Sequence, residues 1–208
     1  MDKATRLERL RQQIINEKVC AELAAQATQL VMGDGNLDAR VVFIGEAPGK
    51  NEDLQGKPFV GASGKFLDEM IAAAEMKRAD IYITNIVKYR PPNNRDPLPE
   101  EKRSFWPYLM EQLEIINPKV IVTLGRHAMN CFIPDGKISV DHGHPRQVVL
   151  HPSPDASICP PREGEGKRVE YRWLVMPLYH PAAALYNGSM RQTLIDDFLK
   201  VPALIHGD

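Results

Sequence analysis

The sequence predicts an α/β sandwich around a mostly parallel sheet of four strands. Helical and strand-like segments alternate along the chain, which is the pattern of α/β domains. The strand-like segments are continuous apolar runs such as VVFI and KVIVTL, and such runs are typical of parallel strands covered on both faces. Because 208 residues suffice for one core, we expect a single domain over residues 1–208.

Each predicted element follows from a local pattern. The four predicted strands cover residues 41–44, 80–87, 119–124 and 173–176. Helices are predicted in an N-terminal segment over 1–32, over 65–76, from Pro99 onward, from Gly125 onward and over 192–200. Residues 134–168 are rich in proline, glycine and charge, and they predict an irregular segment, either a mobile loop or a loosely structured hairpin.

Charge and cysteine usage narrow the class of protein. The net charge of −1 gives no global attraction to nucleic acid, so any DNA contact must come from a local basic face. No apolar run has the length of a membrane span, and we expect a cytoplasmic protein with no membrane partner. Cys20, Cys131 and Cys159 are far apart and show no CxxC spacing, which argues against disulfides, metal sites and iron–sulfur sites.

Loops with different chemistry follow the four predicted strands. Ligands of open α/β sheets bind outside the carboxyl ends of the strands, so these loops are expected to share one rim. The first loop brings the carboxylates of Glu46, Glu52 and Asp53, the second the carboxamide of Asn85, and the fourth the imidazole of His180. Such a set suits a flat heterocycle such as a nucleobase. It suits a metal poorly, because no second histidine or cysteine lies near His180 in sequence.

Two glycine-rich turns predict phosphate contacts. Backbone amides at a helix start attract anions, and both turns precede predicted helices. The residues concerned are Gly61, Ser63, Gly64 and Lys65 in the first turn, and Gly125 and Arg126 in the second. Anion sites on either side of a base pocket are what a nucleic-acid backbone requires. Glycines in such turns also serve packing alone, and that alternative stays open for both.

Four stretches together resemble the family 4 uracil-DNA glycosylases in order and approximate spacing. They are GEAPGKNEDLQGKPFVGASGKFLD, YITNIVKYRPPNNRDPLPEE, NPKVIVTLGRHA and LYHPAAAL. The resemblance implies a three-layer α/β/α fold, flipping of a uracil out of DNA into a pocket beside the sheet, and hydrolysis of its N-glycosidic bond to leave an abasic site. We predict a monofunctional enzyme, since no lysine in the motifs is placed as a nucleophile, and the nearness of Lys50 and Lys65 in sequence keeps lyase chemistry open as an alternative.

The resemblance assigns roles to individual residues. Glu46 matches the residue that positions or polarises the attacking water, and the Ala47 amide matches a contact to the base. Phe59 matches the aromatic on which uracil stacks, Asn85 the reader of its Watson–Crick edge, and His180 the donor to its O2. From the residues alone, Phe59 equally fits a packing role and His180 a helix cap.

Two further acidic residues end the first motif. For Glu52 and Asp53 we favour loop bracing by hydrogen bonds over positioning of water, since acidic residues beside glycine turns commonly accept from backbone amides.

The chain departs from the family pattern at the iron–sulfur cluster. Typical members hold it with four cysteines. Tyr89 and Phe105 stand at two of those positions, the other two fall near Lys18 and Ala21, and Cys20 is at most a shifted remnant. We therefore expect no cofactor, and we expect the two aromatic rings to fill the space together.

A second departure and the choice of function complete the predictions. Tyr186 stands where many members carry an arginine, which argues against a basic wedge, and an aromatic there would either stack against a base or fill the gap left by base flipping. The predicted function is excision of uracil from single- or double-stranded DNA by a monomer. Two alternatives stay open: a glycosylase of the same fold for deaminated purines, and a non-catalytic module that binds uracil-containing DNA or nucleotides.

Overall fold

The computed structural model describes residues 1–150 and 170–206. Its centre is a six-stranded sheet with the strand order β1-β3-β2-β4-β6-β5. The strands are β1 Asp34–Gly35, β2 Val41–Gly45, β3 Tyr82–Asn85, β4 Val120–Leu124, β5 Arg146–Leu150 and β6 Tyr171–Leu178. In these described ranges, no helix has the length and apolar character needed to cross a bilayer.

The four central strands are parallel, so their carboxyl ends share one rim. β2 pairs with β3 and β4, and β4 pairs with β6, all in parallel. The predicted count of four strands is wrong, because β1 and β5 add antiparallel edges to the sheet. β1 has two residues, too few for a pattern, and β5 is largely exposed and so lacks the apolar run of a buried strand.

Helices cover both faces of the sheet, which confirms the three-layer α/β/α architecture. Val42 and Ile44 of β2 face a core shared with α1 and α5, whereas Val41 and Phe43 face a core shared with α4 and α9. The helices are α1 Lys3–Asn16, α2 Ala21–Gln26, α3 Lys50–Gln55, α4 Ala62–Ala73, α5 Pro99–Ile116, α6 Arg126–Phe132, α7 Ile138–Asp141, α8 Ala182–Tyr186, α9 Met190–Phe198 and α10 Val201–His206.

Local signals explain where the longer helices begin. The Asp2 side chain accepts a hydrogen bond of 2.7 Å from the Thr5 amide and so caps α1. Leu7 and Leu10 then lie buried on the face of α1 that packs toward the core. At the start of α5, the Glu101 carboxylate accepts a hydrogen bond of 2.7 Å from the Leu98 amide. Both starts are therefore readable from the sequence.

The segment predicted as irregular is partly regular. Within residues 134–150 the structure contains α7 and β5, and β5 pairs antiparallel with β6. Residues 134–150 are therefore more regular than the sequence predicts. Residues 151–168 of the prediction lie outside the described residues.

The Tyr89 and Phe105 rings touch edge to face. Their centroids lie 5.9 Å apart at 66°, and both rings are buried in the core that packs against α1. Cys20 packs against the same core. These residues do not fit an iron–sulfur cluster, because two of the implied positions carry carbon rings and one thiol cannot supply the thiolates that a cluster needs. The ring pair occupies that place as packed apolar volume.

We expect Tyr89→Ala to lower the free energy of unfolding by about 3 kcal/mol, because it leaves a cavity beside Phe105. A thermal melt followed by circular dichroism measures the change. Tyr186→Ala is the matched control, since its side chain is 92% exposed and its loss should leave the melting temperature unchanged. A Tyr89→Ala variant that melts like the wild type would show that the ring pair does not stabilise the fold.

Candidate active site

A cleft of about 410 Å³ opens at the rim where the parallel strands end. All four strand-end loops predicted to meet at this rim lie close to it, and three of them supply lining residues. The lining consists of Glu46, Ala47, Pro48, Gly49, Glu52, Phe59, Ser63, Asn85, Pro91, Asn94, Arg95, Asp96, Pro97, His180, Ala182 and Tyr186. The predicted carboxylate, carboxamide, aromatic and imidazole groups therefore share one cavity.

Asn85 ends β3 at the floor of the cleft. The residue is 2% exposed, and its backbone is in register with Gly45 at the end of β2. A Cβ atom on Gly45 would lie 2.4 Å from Asn85 Oδ1 and 2.7 Å from Phe59 Cε2. Only a glycine at position 45 therefore allows the carboxamide and the aromatic ring to approach the strand end together.

Phe59 has a strained backbone. Its φ of 52° lies in the left-handed region, which is uncommon for a bulky residue and persists only where the surroundings hold it. Arg78 Nη2 donates to the carbonyl of Phe59 at 3.1 Å, and a Cβ atom on Gly64 would lie 1.9 Å from the same oxygen. The loop is thus clamped between Arg78 and α4. This fixes the ring in the cleft wall.

His180 is neutral and presents one nitrogen as a donor. Its Nδ1 accepts a hydrogen bond of 3.1 Å from the Ala182 amide, so the ring proton lies on Nε2. Burial lowers the pKa of His180 to about 4, against a smaller opposing effect of the Glu52 carboxylate. The ring lies beside Phe59, with centroids 5.6 Å apart.

Glu46 follows β2 and has an unusual environment. Burial and then the nearby Asp96 carboxylate raise the pKa of Glu46 to about 7. Its Oε1 atom is buried and has no hydrogen-bond donor in the described part of the chain. His127 Nδ1 lies 3.6 Å from Oε1, within ion-pair range but longer than a hydrogen bond.

Glu52 and Asp53 have different places. Glu52 lines the cleft, and its Oε1 accepts hydrogen bonds from the amides of Val60 at 3.0 Å and Gly61 at 2.9 Å. Asp53 is buried away from the cleft lining and accepts from the amide and hydroxyl of Thr28, both at 2.8 Å. The first carboxylate closes the loop that carries Phe59, and the second ties that loop to the N-terminal segment.

The predicted phosphate contacts divide into two groups. The Gly61 amide donates to Glu52, and Gly64 is buried against Phe59, so neither is available to a phosphate. Gly125 has a φ of 92° and lies against His180, where a Cβ atom would be 3.1 Å from His180 Cβ. For these three glycines the packing alternative applies. Ser63 lines the cleft, while Lys65 and Arg126 are exposed.

Two residues near Glu46 were given no role by the sequence. Asp96 lies in the proline-rich loop before α5, and His127 is the second residue of α6, directly after β4. A strand end that runs straight into a helix is the signal that could have found His127. In the described part of the chain, the side chains of Asp96, His127 and Glu46 form one group. A carboxylate oxygen or ring nitrogen of each residue lies within 4.8 Å of those of the other two. The two carboxylates face opposite ring nitrogens of His127, which suits hydrogen bonding better than one shared cation.

Lys88 is fully buried beneath Asn85. Its Nζ donates to the Asn85 carbonyl at 2.8 Å, and to Thr84 Oγ1 and Gln112 Oε1, both at 2.6 Å. Three donors thus meet three acceptors, which satisfies the ammonium group in the interior. Burial lowers the pKa of Lys88 well below its usual range. The lysine anchors the backbone from which the Asn85 carboxamide projects.

We expect Lys88→Met to lower the free energy of unfolding by about 3 kcal/mol, because three buried acceptors lose their donor at once. Equilibrium unfolding in urea measures this. Lys50→Met, at an exposed position, is the control and should unfold like the wild type. Equal midpoints for both variants would contradict the anchoring role.

The chain is similar to known proteins over most of its length. The chain matches the family model "Uracil DNA glycosylase superfamily" over residues 32–201. It is 43% identical over 203 residues to a type-4 uracil-DNA glycosylase of Archaeoglobus fulgidus, covering 95% of this chain and 92% of that protein. It is 40% identical over 204 residues to that of Sulfurisphaera tokodaii, covering 95% and 84%. With the type-4 enzyme of Thermotoga maritima the identity is 38% over 201 residues, covering 93% and 94%. The chain therefore belongs to the uracil-DNA glycosylase superfamily, among relatives of the type-4 family.

Proposed function

We propose that this protein removes uracil from DNA by hydrolysing its N-glycosidic bond. The observation that carries the proposal is the meeting of Asn85, Phe59 and neutral His180 in one cleft. The type-4 names of the relatives support the same activity. A uracil flipped out of the duplex stacks on Phe59 at the cleft wall.

Asn85 reads the base. Its amide donates to uracil O4 and its carbonyl accepts from N3–H, while Lys88 holds the backbone of the residue in place. Cytosine presents a donor where uracil presents O4, so a buried donor is left unpaired at a cost of about 1–3 kcal/mol. The Ala47 amide adds a contact to the base. The Asn85 carboxamide packs closely against Gly45, which prevents it from rotating away from the base.

His180 stabilises the departing base. As the bond between C1′ and N1 breaks, negative charge develops on the uracil, and the Nε2–H of His180 donates to O2. A neutral imidazole serves as this donor without taking up a proton first. The low pKa of His180 therefore suits the role at neutral pH.

Glu46 acts on the water and the sugar. Its carboxylate faces the developing positive charge of the sugar and accepts a proton from the water that attacks C1′. Within the described lining of the cleft there is no lysine, so we infer simple hydrolysis to an abasic site without lyase chemistry. Ser63, Lys65 and Arg126 contact the DNA backbone, and the protein acts as a monomer.

A glycosylase assay tests the proposal. A labelled oligonucleotide with one uracil is incubated with protein in EDTA and then treated with hot alkali. We expect strand cleavage only after alkali, no cleavage of a cytosine control, and a loss of about 10²-fold or more for Asn85→Ala. Cleavage of a hypoxanthine oligonucleotide in place of uracil would assign the deaminated-purine alternative. Binding of uracil-containing DNA without cleavage would assign the binding module.

A further inference from the structure

We propose that His127 is a positioning residue that acts through Glu46 by sharing one proton with it. In this arrangement His127 holds the shared proton and keeps Glu46 ionised while the base departs, and it releases its outer proton when Glu46 accepts the proton of the attacking water. The inference rests on the proposed function. It assigns a role to a side chain outside the lining of the cleft.

The His127 ring lies between the carboxylates of Glu46 and Asp96. Nδ1 lies 3.6 Å from Glu46 Oε1, and Nε2 lies 3.0 Å from Asp96 Oδ2. Glu46 Oε1 is buried, and the His127 ring lies within ion-pair range of it. A small approach of the ring closes the longer contact into a hydrogen bond. A path then runs from the cleft through Glu46 and His127 to Asp96, whose side chain is 65% exposed.

The charges around the pair favour a proton that moves. Burial raises the pKa of Glu46 and lowers the pKa of His127, so each group alone resists its charged form. Moving the proton from Glu46 to His127 leaves the total charge of the two side chains unchanged. Asp96 from the loop before α5 favours the imidazolium, while Lys102 of α5 and Arg126 of α6 oppose it. In α6, burial raises the pKa of the Cys131 thiol, and the Glu46 carboxylate raises it further.

The Nε2 atom of His127 has a hydrogen-bond partner whether or not it carries a proton. Arg126 Nε lies 3.1 Å from Nε2 and donates to it when it carries no proton. Asp96 Oδ2 accepts from Nε2 when it carries one. Neither state therefore leaves Nε2 without a partner. This lets the ring pick up a proton at Nδ1 and release one at Nε2.

The atoms and charges of the proposed hydrolysis step balance. The C1′–N1 bond breaks with its electron pair on the uracil, and a water oxygen bonds to C1′. One water proton goes to Glu46, while the shared proton stays on Nδ1 of His127. The proton on Nε2 leaves by way of Asp96 to solvent, where one proton neutralises the uracil anion.

Single-turnover excision measured between about pH 5 and pH 9 tests the proposal. For His127→Gln and His127→Leu we expect the rate to fall away at a pH about one unit higher than in the wild type, because Glu46 then takes up the proton itself. Near pH 6.5 this amounts to about a tenfold loss, and at about pH 9 the rates should converge. The dissociation constant for DNA should stay unchanged. His144→Gln, at an exposed histidine, is the control for loss of an imidazole.

A merely structural role predicts a different result. If His127 had only a structural role, its replacement would lower the excision rate equally at every pH, and that outcome would overturn the proposal. Circular dichroism first establishes that the variants are folded. The pKa of the His127 imidazole, measured by NMR without DNA, supplies a second readout. We expect it to fall by about one unit in Glu46→Gln, since a carboxylate beside the ring is removed. An unchanged His127 pKa in that variant would also overturn the proposal.

The outcomes separate this inference from the proposed function. A wild-type protein that leaves uracil in place refutes the function itself. A wild-type protein that excises uracil, loses activity in Glu46→Gln, and keeps its pH profile in both His127 variants refutes the proton-sharing pair alone.

Discussion

His180→Ala is expected to lower the single-turnover rate of uracil excision by about 10²–10³-fold, because the departing uracil loses its hydrogen-bond donor. His180→Gln should recover part of this loss, since its amide also donates. The dissociation constant for uracil-containing DNA should change far less than the rate, because the donor acts mainly on charge that develops as the bond breaks. Rapid-quench kinetics with enzyme in excess measures the rate.

The pH dependence of the same step distinguishes the form of His180. Its pKa is lowered to about 4, so the ring is neutral above that pH and its donor is present at all higher values. Any change of the excision rate in this range should persist in His180→Gln, so we expect no decline between about pH 5 and pH 8 that depends on His180. A decline of that kind would show that a protonated imidazole does the work, and it would contradict the neutral donor.

Gly45→Ala is expected to lower the excision rate by about 10²-fold or more, a large effect for one added methyl group. The new Cβ atom would lie 2.4 Å from Asn85 Oδ1 and 2.7 Å from Phe59 Cε2, so both side chains must move. Misplacing the groups that hold the base by about 1 Å is enough for such a loss. Overpacking at this position should also lower the free energy of unfolding by about 1–3 kcal/mol.

Gly188→Ala is the matched control. A Cβ atom on Gly188 meets nothing within 4 Å, so this variant should excise uracil and melt like the wild type. Excision kinetics and thermal melts on both variants, side by side, measure the contrast. Wild-type kinetics in Gly45→Ala would mean that the carboxamide and the ring do not hold the base from the places described.

The parallel centre of the sheet was predictable because buried strands leave continuous apolar runs. The edges were not predictable, since β1 has two residues and the exposed β5 carries no such run. Within the site, the residue types of Asn85, Phe59 and His180 pointed to the rim from the sequence. The strained φ of Phe59 had no local signal, because neighbours distant in sequence impose it.

Contacts distant in sequence also explain the other omissions. The approach of Asp96 to His127 joins the loop before α5 to helix α6 in the folded chain, and no spacing rule expresses it. The Gly61 amide looked free in the sequence because its partner, the Glu52 carboxylate, belongs to the preceding helix. A glycine turn therefore needs its neighbours before it can be assigned to phosphate.

Three glycines lie directly against the groups that form the base pocket: Gly45 against Asn85 and Phe59, Gly64 against the backbone of Phe59, and Gly125 against His180. At these three positions the backbone approaches the pocket residues so closely that any added side chain would push against them. Redesign toward a bulkier base can begin at the outer lip, where Tyr186 lines the cleft and is 92% exposed, so that its exchange leaves the packing intact. Because glycine is the smallest residue, substitutions at these three positions can only make the pocket narrower.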